Sequence, residues 1–419
     1  MLACTPPERL KGDALRAHAD WLEAGGAAQP FVAGALAGAE VIVDGLLGTG
    51  LTGAPRTETM EVIRAINAAN LAVLALDLPS GLDADSGAVR GAAVRADVTV
   101  SFVALKSGLY LGAGPEHAGV VLLEDLGVVP PALPGFEPLL RRIDEADIAT
   151  HLPRRARESH KGTHGRVLII GGGPGMPGAL RLAGEAALRA GAGLVTAAGL
   201  PGNLLPVTAT RPELIYLPLE DGAVLAESWH GASVIAIGPG LGQDRWAREV
   251  WRRVLDVQGI PVVMDADALN LLALAPAKLA ADWILTPHPG EAARLLATDT
   301  QAIQADRLGA VRELHARYGA VVVLKGAGSL VSATENGVTS IGLCDRGNPG
   351  MATAGMGDVL TGVIAGLVAQ LGAQPGASAL AARLGVLIHA LAGDAAAQGG
   401  QRGLIASDVI GELWRWVNP

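Results

Sequence analysis

The chain has 419 residues, of which 50% are hydrophobic and 17% are charged, so it can bury the cores of two or three domains and is not of the disordered class. A formal net charge of −9 leaves no excess of basic residues for nucleic acid or an anionic membrane. Cys4 and Cys344 alone cannot form a disulfide framework or a thiolate metal site, and residues 1–20 contain no signal-peptide stretch. We therefore expect a cytoplasmic protein that binds neither nucleic acid nor membranes.

The first third of the chain alternates predicted helices and strands. Hydrophobic periodicity predicts helices over 9–22 and 58–70, and strands over 40–43, 71–76, 98–102 and 120–123. Such alternation is typical of α/β domains with a largely parallel sheet. A proline-rich and then charge-rich stretch over 130–157 has no apolar period. We place the domain boundary there and predict domains 1–145 and 146–419.

The alternation restarts near residue 166. Strands are predicted over 167–170, 194–197, 234–237, 262–264, 284–286 and 321–324, and the chain after 357 is predicted to be helical. The uncharged stretch 359–382 is long enough to span a membrane, but it contains two glutamines, a proline and several glycines. A buried helix and its turn explain this stretch better, within a second α/β domain.

Two carboxylates follow neighbouring predicted strands of the first domain. Asp44 opens a glycine-rich loop, and Asp77 opens the sequence Leu-Pro-Ser-Gly. In open parallel sheets, ligands bind beside the carboxyl ends of the strands. Carboxylate, hydroxyl and carbonyl oxygens from these loops suit a hard cation. The alternative is that both aspartates only cap their loops.

The loop after Asp44 also matches the glycine pattern of dinucleotide sites. Gly48, Gly50 and Gly53 satisfy G-x-G-x-x-G after a strand. Against this, Asp44 would face the pyrophosphate, and Pro55 delays the helix whose N-terminus should bind it. The pattern alone is weak evidence for a dinucleotide fold.

These motifs resemble the NAD(P)H-hydrate epimerase domain. The resemblance is carried by residues 41–51, 76–81 and 96–100, together with Lys106. It implies a Rossmann-like parallel-sheet domain that binds the hydrated nicotinamide of NADHX or NADPHX. The family's earlier strand and Gly-Asn-Asn-Gly-Gly-Asp loop have no counterpart before Arg9. We therefore expect epimerase activity to be impaired in this chain.

The resemblance also implies site residues in the first domain. Asp44 and Ser80 would ligate K⁺, and Asp77 would be the acid/base group and a substrate contact. Further substrate contacts would come from the glycine-rich loop, at Gly48, Thr49, Gly50, Leu51, Thr52 and Gly53.

The second domain contains a glycine-rich loop, 347–358, that leads into the apolar stretch. Converging backbone N–H groups and a helix N-terminus make an anion site. The loop ends in Asp358, which would repel a phosphate unless it accepts a proton from an attacking hydroxyl. Asp358 is therefore either a catalytic base or a helix N-cap.

Two further loops follow predicted strands of the second domain. Lys325–Ser329 offers an ammonium and free amides suited to nucleotide phosphate, although it is not a Walker A sequence. His288 lies between two prolines at the end of another strand, where a histidine is either structural or functional.

The loops of the second domain together resemble the ADP/ATP-dependent NAD(P)H-hydrate dehydratases of the ribokinase-like superfamily. The matching segments, in order, are 160–165, 176–179, 238–242, 265–270, 287–291, 325–326 and 355–358. Carried over by position, the hydrate contacts are Ala179, Gly240, His288 and Asp358. The nucleotide contacts are Lys325, Gly326, Ala327, Gly328, Ser329 and Gly357.

The implied chemistry is phosphorylation of the hydroxyl on the hydrated ring, followed by loss of phosphate. Asp358 would be the base, with ADP or ATP as cosubstrate and Mg²⁺ as cofactor. Asp265 and Asp267 either orient the metal or cap a helix. The rival functions are a small-molecule kinase of the same superfamily and a non-catalytic first domain. We also expect a homo-oligomer.

Overall fold

Apolar strands alternating with helices build two α/β units in the computed structural model, which describes residues 1–4, 6–51, 53–128, 138–220 and 229–418. Unit 1 comprises Met1–Glu137 and unit 2 comprises Pro138–Pro419. The predicted α/β class is confirmed in both units.

Unit 1 is organised, within its described residues, around a four-stranded parallel sheet with the strand order β3-β4-β5-β6. A separate parallel pair joins β1 to β2. The predicted strands agree with the observed ones to within one residue at each end. The strands are β1 (Leu2–Ala3), β2 (Gln29–Pro30), β3 (Val41–Asp44), β4 (Ala72–Leu76), β5 (Val98–Phe102) and β6 (Val120–Glu124), and the helices are α1 (Gly12–Glu23), α2 (Thr57–Ala68) and α3 (Gly114–Ala118).

The sheet of unit 1 has one buried and one exposed face. Along β3 the side chains of Ile42 and Asp44 are buried, whereas Val41 and Val43 are each 56% exposed. Helix α2 packs Ile63 against the buried face. Parallel sheets normally have both faces covered. Unit 1 therefore departs from the usual arrangement, because apolar side chains of β3 and of β6 remain exposed.

The described residues of unit 2 form a ten-stranded sheet with the order β10-β9-β8-β11-β12-β13-β14-β15-β16-β7. The pairs from β10 to β14 are parallel, and β14-β15 and β15-β16 are antiparallel. Its strands are β7 (Arg141–Arg142), β8 (Arg166–Ile170), β9 (Leu194–Gly199), β10 (Ile215–Pro218), β11 (Val234–Ile237), β12 (Val262–Met264), β13 (Ile284–Leu285), β14 (Val321–Leu324), β15 (Ser329–Glu335) and β16 (Val338–Cys344).

The helices of unit 2 connect these strands and complete its C-terminal part. They are α4 (Ala146–His151), α5 (Pro177–Arg189), α6 (Leu204–Thr208), α7 (Arg245–Leu255), α8 (Ala266–Leu274), α9 (Pro289–Leu296), α10 (Thr300–Ala305), α11 (Arg307–Tyr318), α12 (Met356–Leu371), α13 (Ala377–Ala396) and α14 (Ala406–Trp416). The carboxyl ends of β8, β11, β12, β13 and β14 share one edge of the sheet, because these strands are parallel. Candidate site residues follow several of them.

Glycines let α12 approach α5 closely. A Cβ built on Gly362 would lie 2.1 Å from the carbonyl oxygen of Ala183, and one built on Gly366 would lie 2.8 Å from that of Ala187. Both distances are too short for any side chain, so this packing requires glycine. The contact fixes the position of α12, whose first turn carries Asp358.

The apolar stretch 359–382 forms most of α12, a turn and the start of α13, and most of its residues are buried. This agrees with the predicted buried helix and turn. Among the described residues, one helix is long and apolar enough to cross a membrane, Ala377–Ala396, with a mean hydropathy of 1.4. Because 72% of its most apolar window is buried inside the protein, and core helices of water-soluble proteins pass the same test, it is weak evidence for a membrane span.

Candidate active sites

A buried ion pair lies at the carboxyl edge of the unit 2 sheet. Asp265 directly follows β12 and is 1% exposed. Its Oδ1 lies 2.6 Å from Nζ of Lys325, which follows β14. Thr361 of α12 donates a hydrogen bond of 2.9 Å to Oδ2 of Asp265. Asp265 therefore joins two strand ends to the first turns of α12.

Glu291 adds a second carboxylate to Lys325. Its Oε2 lies 3.7 Å from Nζ of Lys325 and accepts a hydrogen bond of 2.8 Å from the backbone N–H of His288. Burial would lower the pKa of Lys325, but Asp265 and Glu291 raise it above its usual value. Burial would likewise raise the pKa of Asp265, but the charge and hydrogen bond of Lys325 bring it below its usual value. The pair is therefore charged at neutral pH.

Asp358 lies in the first turn of α12 and is not its cap. The N-cap position is Gly355, whose φ of +88° favours glycine, and no side chain caps the helix. Burial, together with the negative charge of Asp265, raises the pKa of Asp358 to about 7, although Lys325 acts in the opposite direction. A carboxylate with a pKa near neutrality is suited to general-base catalysis.

Gly357 brings the backbone of α12 against the ion pair. A Cβ built on it would lie 3.3 Å from both Oδ2 of Asp265 and Nζ of Lys325. These distances are tighter than ordinary van der Waals contact. The helix N-terminus, with its partial positive charge, is therefore adjacent to the Lys325 ammonium.

His288 caps α9 beside this cluster. Its Nδ1 accepts a hydrogen bond of 2.9 Å from the N–H of Gly290, and its Nε2 lies 3.5 Å from Oε1 of Glu291. Burial and the positive charges of Lys325 and Arg294 lower the pKa of His288. The imidazole is therefore neutral at pH 7, and half of its side chain remains exposed.

A second loop follows β11 and reaches α5 and Asp265. Gly240 has a φ of +55°, and a Cβ built on it would lie 2.7 Å from Cβ of Met176 and 3.1 Å from Cβ of Ala179. Its carbonyl oxygen accepts a hydrogen bond of 2.6 Å from Gly173. A Cβ built on Gly238 would lie only 1.8 Å from the carbonyl oxygen of Asp265. This loop can exist only with glycines at these positions.

Asp267 anchors the same loop from the start of α8. Its Oδ2 accepts a hydrogen bond of 2.8 Å from the N–H of Gly242, and Asn270 donates to its Oδ1 at 3.4 Å. The side chain of Asp265 does not cap α8. Asp265 and Asp267 are therefore not a helix-capping pair, because Asp265 pairs with Lys325 and Asp267 accepts a hydrogen bond from the loop at Gly242.

In unit 1, Asp44 and Ser80 are bonded to each other. Ser80 donates from Oγ to Oδ1 of Asp44 at 2.6 Å and from its backbone N–H to Oδ2 at 2.8 Å. Both residues are 1% exposed. Burial raises the pKa of Asp44, although the hydrogen bonds from Ser80 oppose this effect. Within the described residues, Asp44 forms no ion pair with a basic side chain.

Asp77 follows β4 with a φ of +70°, a left-handed conformation uncommon outside glycine. Its Oδ1 accepts a hydrogen bond of 3.1 Å from the N–H of Phe102 and a short one from Nζ of Lys106. Lys106 also donates to the carbonyl oxygen of Phe102 at 2.8 Å. An acid/base candidate is therefore held beside a cation at the end of β5.

The glycine-rich loop of unit 1 is open where it is described. Cβ atoms built on Gly48, Gly50 or Gly53 would meet nothing within 4 Å. The loop therefore has space along it for a ligand. Thr52, a predicted substrate contact, lies outside the described residues.

Two family models match the chain. A model described as NAD(P)H-hydrate dehydratase matches residues 167–414, and one described as YjeF-related protein N-terminus matches residues 1–108. The bifunctional NAD(P)H-hydrate repair enzyme Nnr of Escherichia coli is 42% identical over 420 residues, covering 100% of this chain and 79% of that protein. The chain belongs to the family of bifunctional NAD(P)H-hydrate repair enzymes. The predicted resemblance of both domains is thereby confirmed.

Other relatives agree with this assignment. The Nnr of Coxiella burnetii is 45% identical over 391 residues, covering 93% of this chain and 78% of that protein. An ADP/ATP-dependent NAD(P)H-hydrate dehydratase from Bacillus subtilis, co-crystallised with ATP and Mg²⁺, is 29% identical with a TM-score of 0.57, and covers 66% of this chain and 97% of its own. A ribokinase-like superfamily protein from Enterococcus faecalis has a TM-score of 0.61 at 28% identity, which supports the predicted ribokinase-like fold.

The structure brings several predicted site residues of the repair enzyme together. Gly357 contacts the Lys325 pair, His288 neighbours Glu291, and Ala179 adjoins Gly240. In unit 1, Asp44 adjoins Ser80, whereas Asp77 pairs with Lys106. Their roles as ligand contacts remain predictions.

Sequence reasoning assigned no role to Glu291, Thr361 or Arg307. Glu291 belongs to the Pro-His-Pro-Gly-Glu motif, so its position three residues after His288 was a usable signal for a capping box. Thr361 and Arg307 carried no signal, because each meets its partner only through the fold.

Proposed function

We propose that this chain repairs hydrated NADH and NADPH by a dehydration that consumes ADP or ATP. The observation that carries the proposal is Asp358, a carboxyl group whose pKa burial raises to about 7, at a glycine-built helix N-terminus beside Lys325. The family membership supports the same reaction.

The first step transfers a phosphoryl group from the nucleotide to the hydroxyl on the hydrated ring. The hydroxyl oxygen forms the new P–O bond, its proton passes to Asp358, and the P–O bond to the nucleotide leaving group breaks. The backbone N–H groups around Gly355 and Gly357 stabilise charge on the transferred group. In the second step the ring C–O bond breaks and phosphate leaves with the bonding electrons. The neighbouring ring carbon then loses a proton to solvent, and the electrons of that C–H bond form the C=C bond of the reduced nicotinamide.

Mg²⁺ fits the donor set beside Asp358. Among the described residues, no three His, Cys, Asp and Glu side chains are arranged to hold a metal by themselves. Mg²⁺ characteristically binds through one or two carboxylates and substrate phosphates. Glu291 would supply a carboxylate beside the nucleotide phosphates, Asp358 would stay free to accept the proton, and bound Mg²⁺ would neutralise charge on the phosphates.

For unit 1 we propose a K⁺ site at Asp44 and Ser80. A buried carboxylate that forms no ion pair among the described residues suits a bound cation, and the carbonyl oxygen of Leu47 lies 3.2 Å from Oγ of Ser80. Asp77, held by Lys106, would act on the ring bound along the glycine-rich loop. Exchanging K⁺ for tetramethylammonium should lower the melting temperature of the wild-type chain. The same exchange should leave the melting temperature of Asp44→Asn unchanged.

We also propose that epimerisation by this chain is impaired, that the protein is cytoplasmic and that it forms a homo-oligomer. Incubating the R hydrate with K⁺ and no nucleotide, and resolving the epimers by chromatography, tests the first. Acceleration over the enzyme-free control that is lost in Asp77→Ala would contradict it. Fractionation of cells and light scattering of the purified chain test the other two.

Asp358→Asn tests the dehydratase assignment. We expect kcat for the S hydrate to fall by at least about 10²-fold, the lower range for losing a general base, with an unchanged melting temperature. The assay follows recovery of reduced nicotinamide with ADP or ATP and Mg²⁺. Asp408→Asn is the matched control, since Asp408 occupies the same first-turn position in α14.

Two results would contradict this proposal. Near-wild-type turnover of Asp358→Asn would remove its role as base. Accumulation of a stable phosphorylated product from the wild type would identify a kinase of the same architecture instead.

A further inference from the structure

Arg307, the first residue of α11, lies buried beneath the loop Lys325–Ser329. It is 5% exposed, and its guanidinium bonds to the backbone of that loop. Nη2 donates to the carbonyl oxygens of Leu324 at 3.3 Å, Lys325 at 3.3 Å and Gly328 at 3.2 Å. Nη1 donates to Lys325 O at 3.4 Å and to Oε1 of Gln304 at 3.1 Å. One side chain therefore holds two carbonyls of the loop and the last carbonyl of β14.

The charge of Arg307 has no acidic partner among the described residues. Within the described part of the chain, no carboxylate forms an ion pair with it, and its buried Nε has no hydrogen-bond partner. Burial lowers the pKa of Arg307 to about 10, so the guanidinium remains protonated at neutral pH. A buried cation neutralised only by carbonyl dipoles is costly.

The hydrogen bonds orient the loop. In a trans peptide the C=O and the N–H point in opposite directions, and the described chain contains no cis peptide bonds. With the Lys325 carbonyl directed at Arg307, the N–H of Gly326 points away from the guanidinium. Gly326 has a φ of +139°, and a Cβ built on it would lie 2.9 Å from Nη1 of Arg307. The loop therefore rests directly on the guanidinium.

We propose that Arg307 is a positioning residue for the phosphates of the adenine nucleotide. It turns the carbonyls of the loop inward, so that amide N–H groups such as that of Gly326 face the ligand, and its unpaired charge favours an anion above the loop. This inference rests on the proposed function, because it assumes that the loop Lys325–Ser329 binds the nucleotide.

Arg307→Met and Arg307→Lys test the proposal in the full chain. Methionine keeps an unbranched apolar stem without the charge, and lysine keeps the charge without the forked donors. We expect Arg307→Met to raise the calorimetric Kd for ADP, and for ATP with Mg²⁺, by about tenfold or more, which is about 1.4 kcal/mol. The nucleotide Kd of Arg307→Lys should lie between those of Arg307→Met and the wild type. In both variants KM for the S hydrate should stay within about twofold of the wild-type value.

Arg312→Met is the matched control, since Arg312 lies exposed on the same helix. It should leave the Kd for the nucleotide unchanged. Melting temperature and circular dichroism identify the variants that are folded at the assay temperature. If Arg307→Met does not fold, the nucleotide Kd and the hydrate KM of Arg307→Lys are compared with the wild-type values instead.

Three results would overturn the inference. One is a folded Arg307 variant that binds nucleotide as tightly as the wild type. Another is an equal rise in the nucleotide Kd and the hydrate KM, which would show a general structural role. If the wild type binds neither ADP nor ATP, the nucleotide assignment of the loop itself fails, and the inference falls with the proposed function.

Discussion

At the scale of single residues, the raised pKa of Asp358 predicts how the dehydratase activity of unit 2 depends on pH. Its pKa of about 7 lies above the usual carboxyl value, so the basic form appears only as pH rises through neutrality. We expect kcat/KM of the S hydrate to increase about tenfold per pH unit below about pH 7 and to level off above it. Initial rates across a constant-ionic-strength buffer series measure this profile. A profile that is flat over about three pH units around neutrality would exclude Asp358 as the titrating base.

Removing the side chain of Lys325 is expected to lower both the stability of the protein and its affinity for ADP. Lys325→Ala leaves Asp265 buried without its cation, and breaking a buried pair in this way costs about 3–5 kcal/mol of unfolding free energy. The adjacent loop also loses a positive charge, so binding of ADP should weaken more than binding of the hydrate. Calorimetry with each ligand, and denaturant unfolding, separate the two effects.

The matched control for this variant is Lys278→Ala. Lys278 is exposed and bonds to a single backbone carbonyl, that of Ala316, at 3.0 Å. It should change neither binding nor stability appreciably. Equal weakening of both ligands in Lys325→Ala would contradict a specific nucleotide role.

At the scale of elements, the position of α12 depends on its glycines. We expect Gly362→Ala to lower the free energy of unfolding by about 1–3 kcal/mol, because the new Cβ would overlap the carbonyl oxygen of Ala183 on α5. Dehydratase activity should fall as well, since α12 carries Asp358. Chemical denaturation and turnover are measured on the same samples.

Gly411→Ala provides the comparison within another helix. A Cβ on Gly411 of α14 meets nothing within 4 Å, so alanine should stabilise α14 by its higher helix propensity. If Gly362→Ala behaved like Gly411→Ala, the close approach of α12 and α5 would not be a constraint on the fold.

The elements themselves could largely be predicted from the sequence, but the contacts between them could not. The sequence predicts strands such as Val98–Phe102 and Val234–Ile237 at their observed limits, because alternation of apolar and polar residues in the first and a short apolar run in the second are local signals. Asp265 and Lys325 are separated by 60 residues and meet only because β12 and β14 are parallel members of one sheet. Periodicity therefore located both residues at strand ends without indicating that they neutralise each other.

The exposed face of the unit 1 sheet was also beyond sequence reasoning. Alternation along β3 indicates which residues share a face, yet Val41 and Val43 are as apolar as the buried Ile42. Whether a face is covered depends on what packs against it. Composition alone therefore could not distinguish the covered face from the exposed one.

At the scale of the whole molecule, unit 2 should function without unit 1. The match to the Bacillus subtilis dehydratase covers 66% of this chain and 97% of that chain, so a chain of about this extent has been solved as a separate molecule. We expect a fragment 138–419 to fold and to dehydrate the S hydrate at a rate near that of the full chain. Its start matters, because β7 pairs with β16, and Ile143 and Ile148 are buried in the unit 2 core.

A second fragment, 146–419, isolates the contribution of that segment and tests the predicted domain boundary at 145/146. It removes β7 and Ile143, and losing one large buried aliphatic side chain typically costs about 2–5 kcal/mol. The fragment 138–419 should therefore have the higher melting temperature, with similar turnover per folded molecule. Equal stability of the two fragments would place the boundary at 145/146. Loss of turnover in a folded 138–419 fragment would instead show that dehydration requires unit 1.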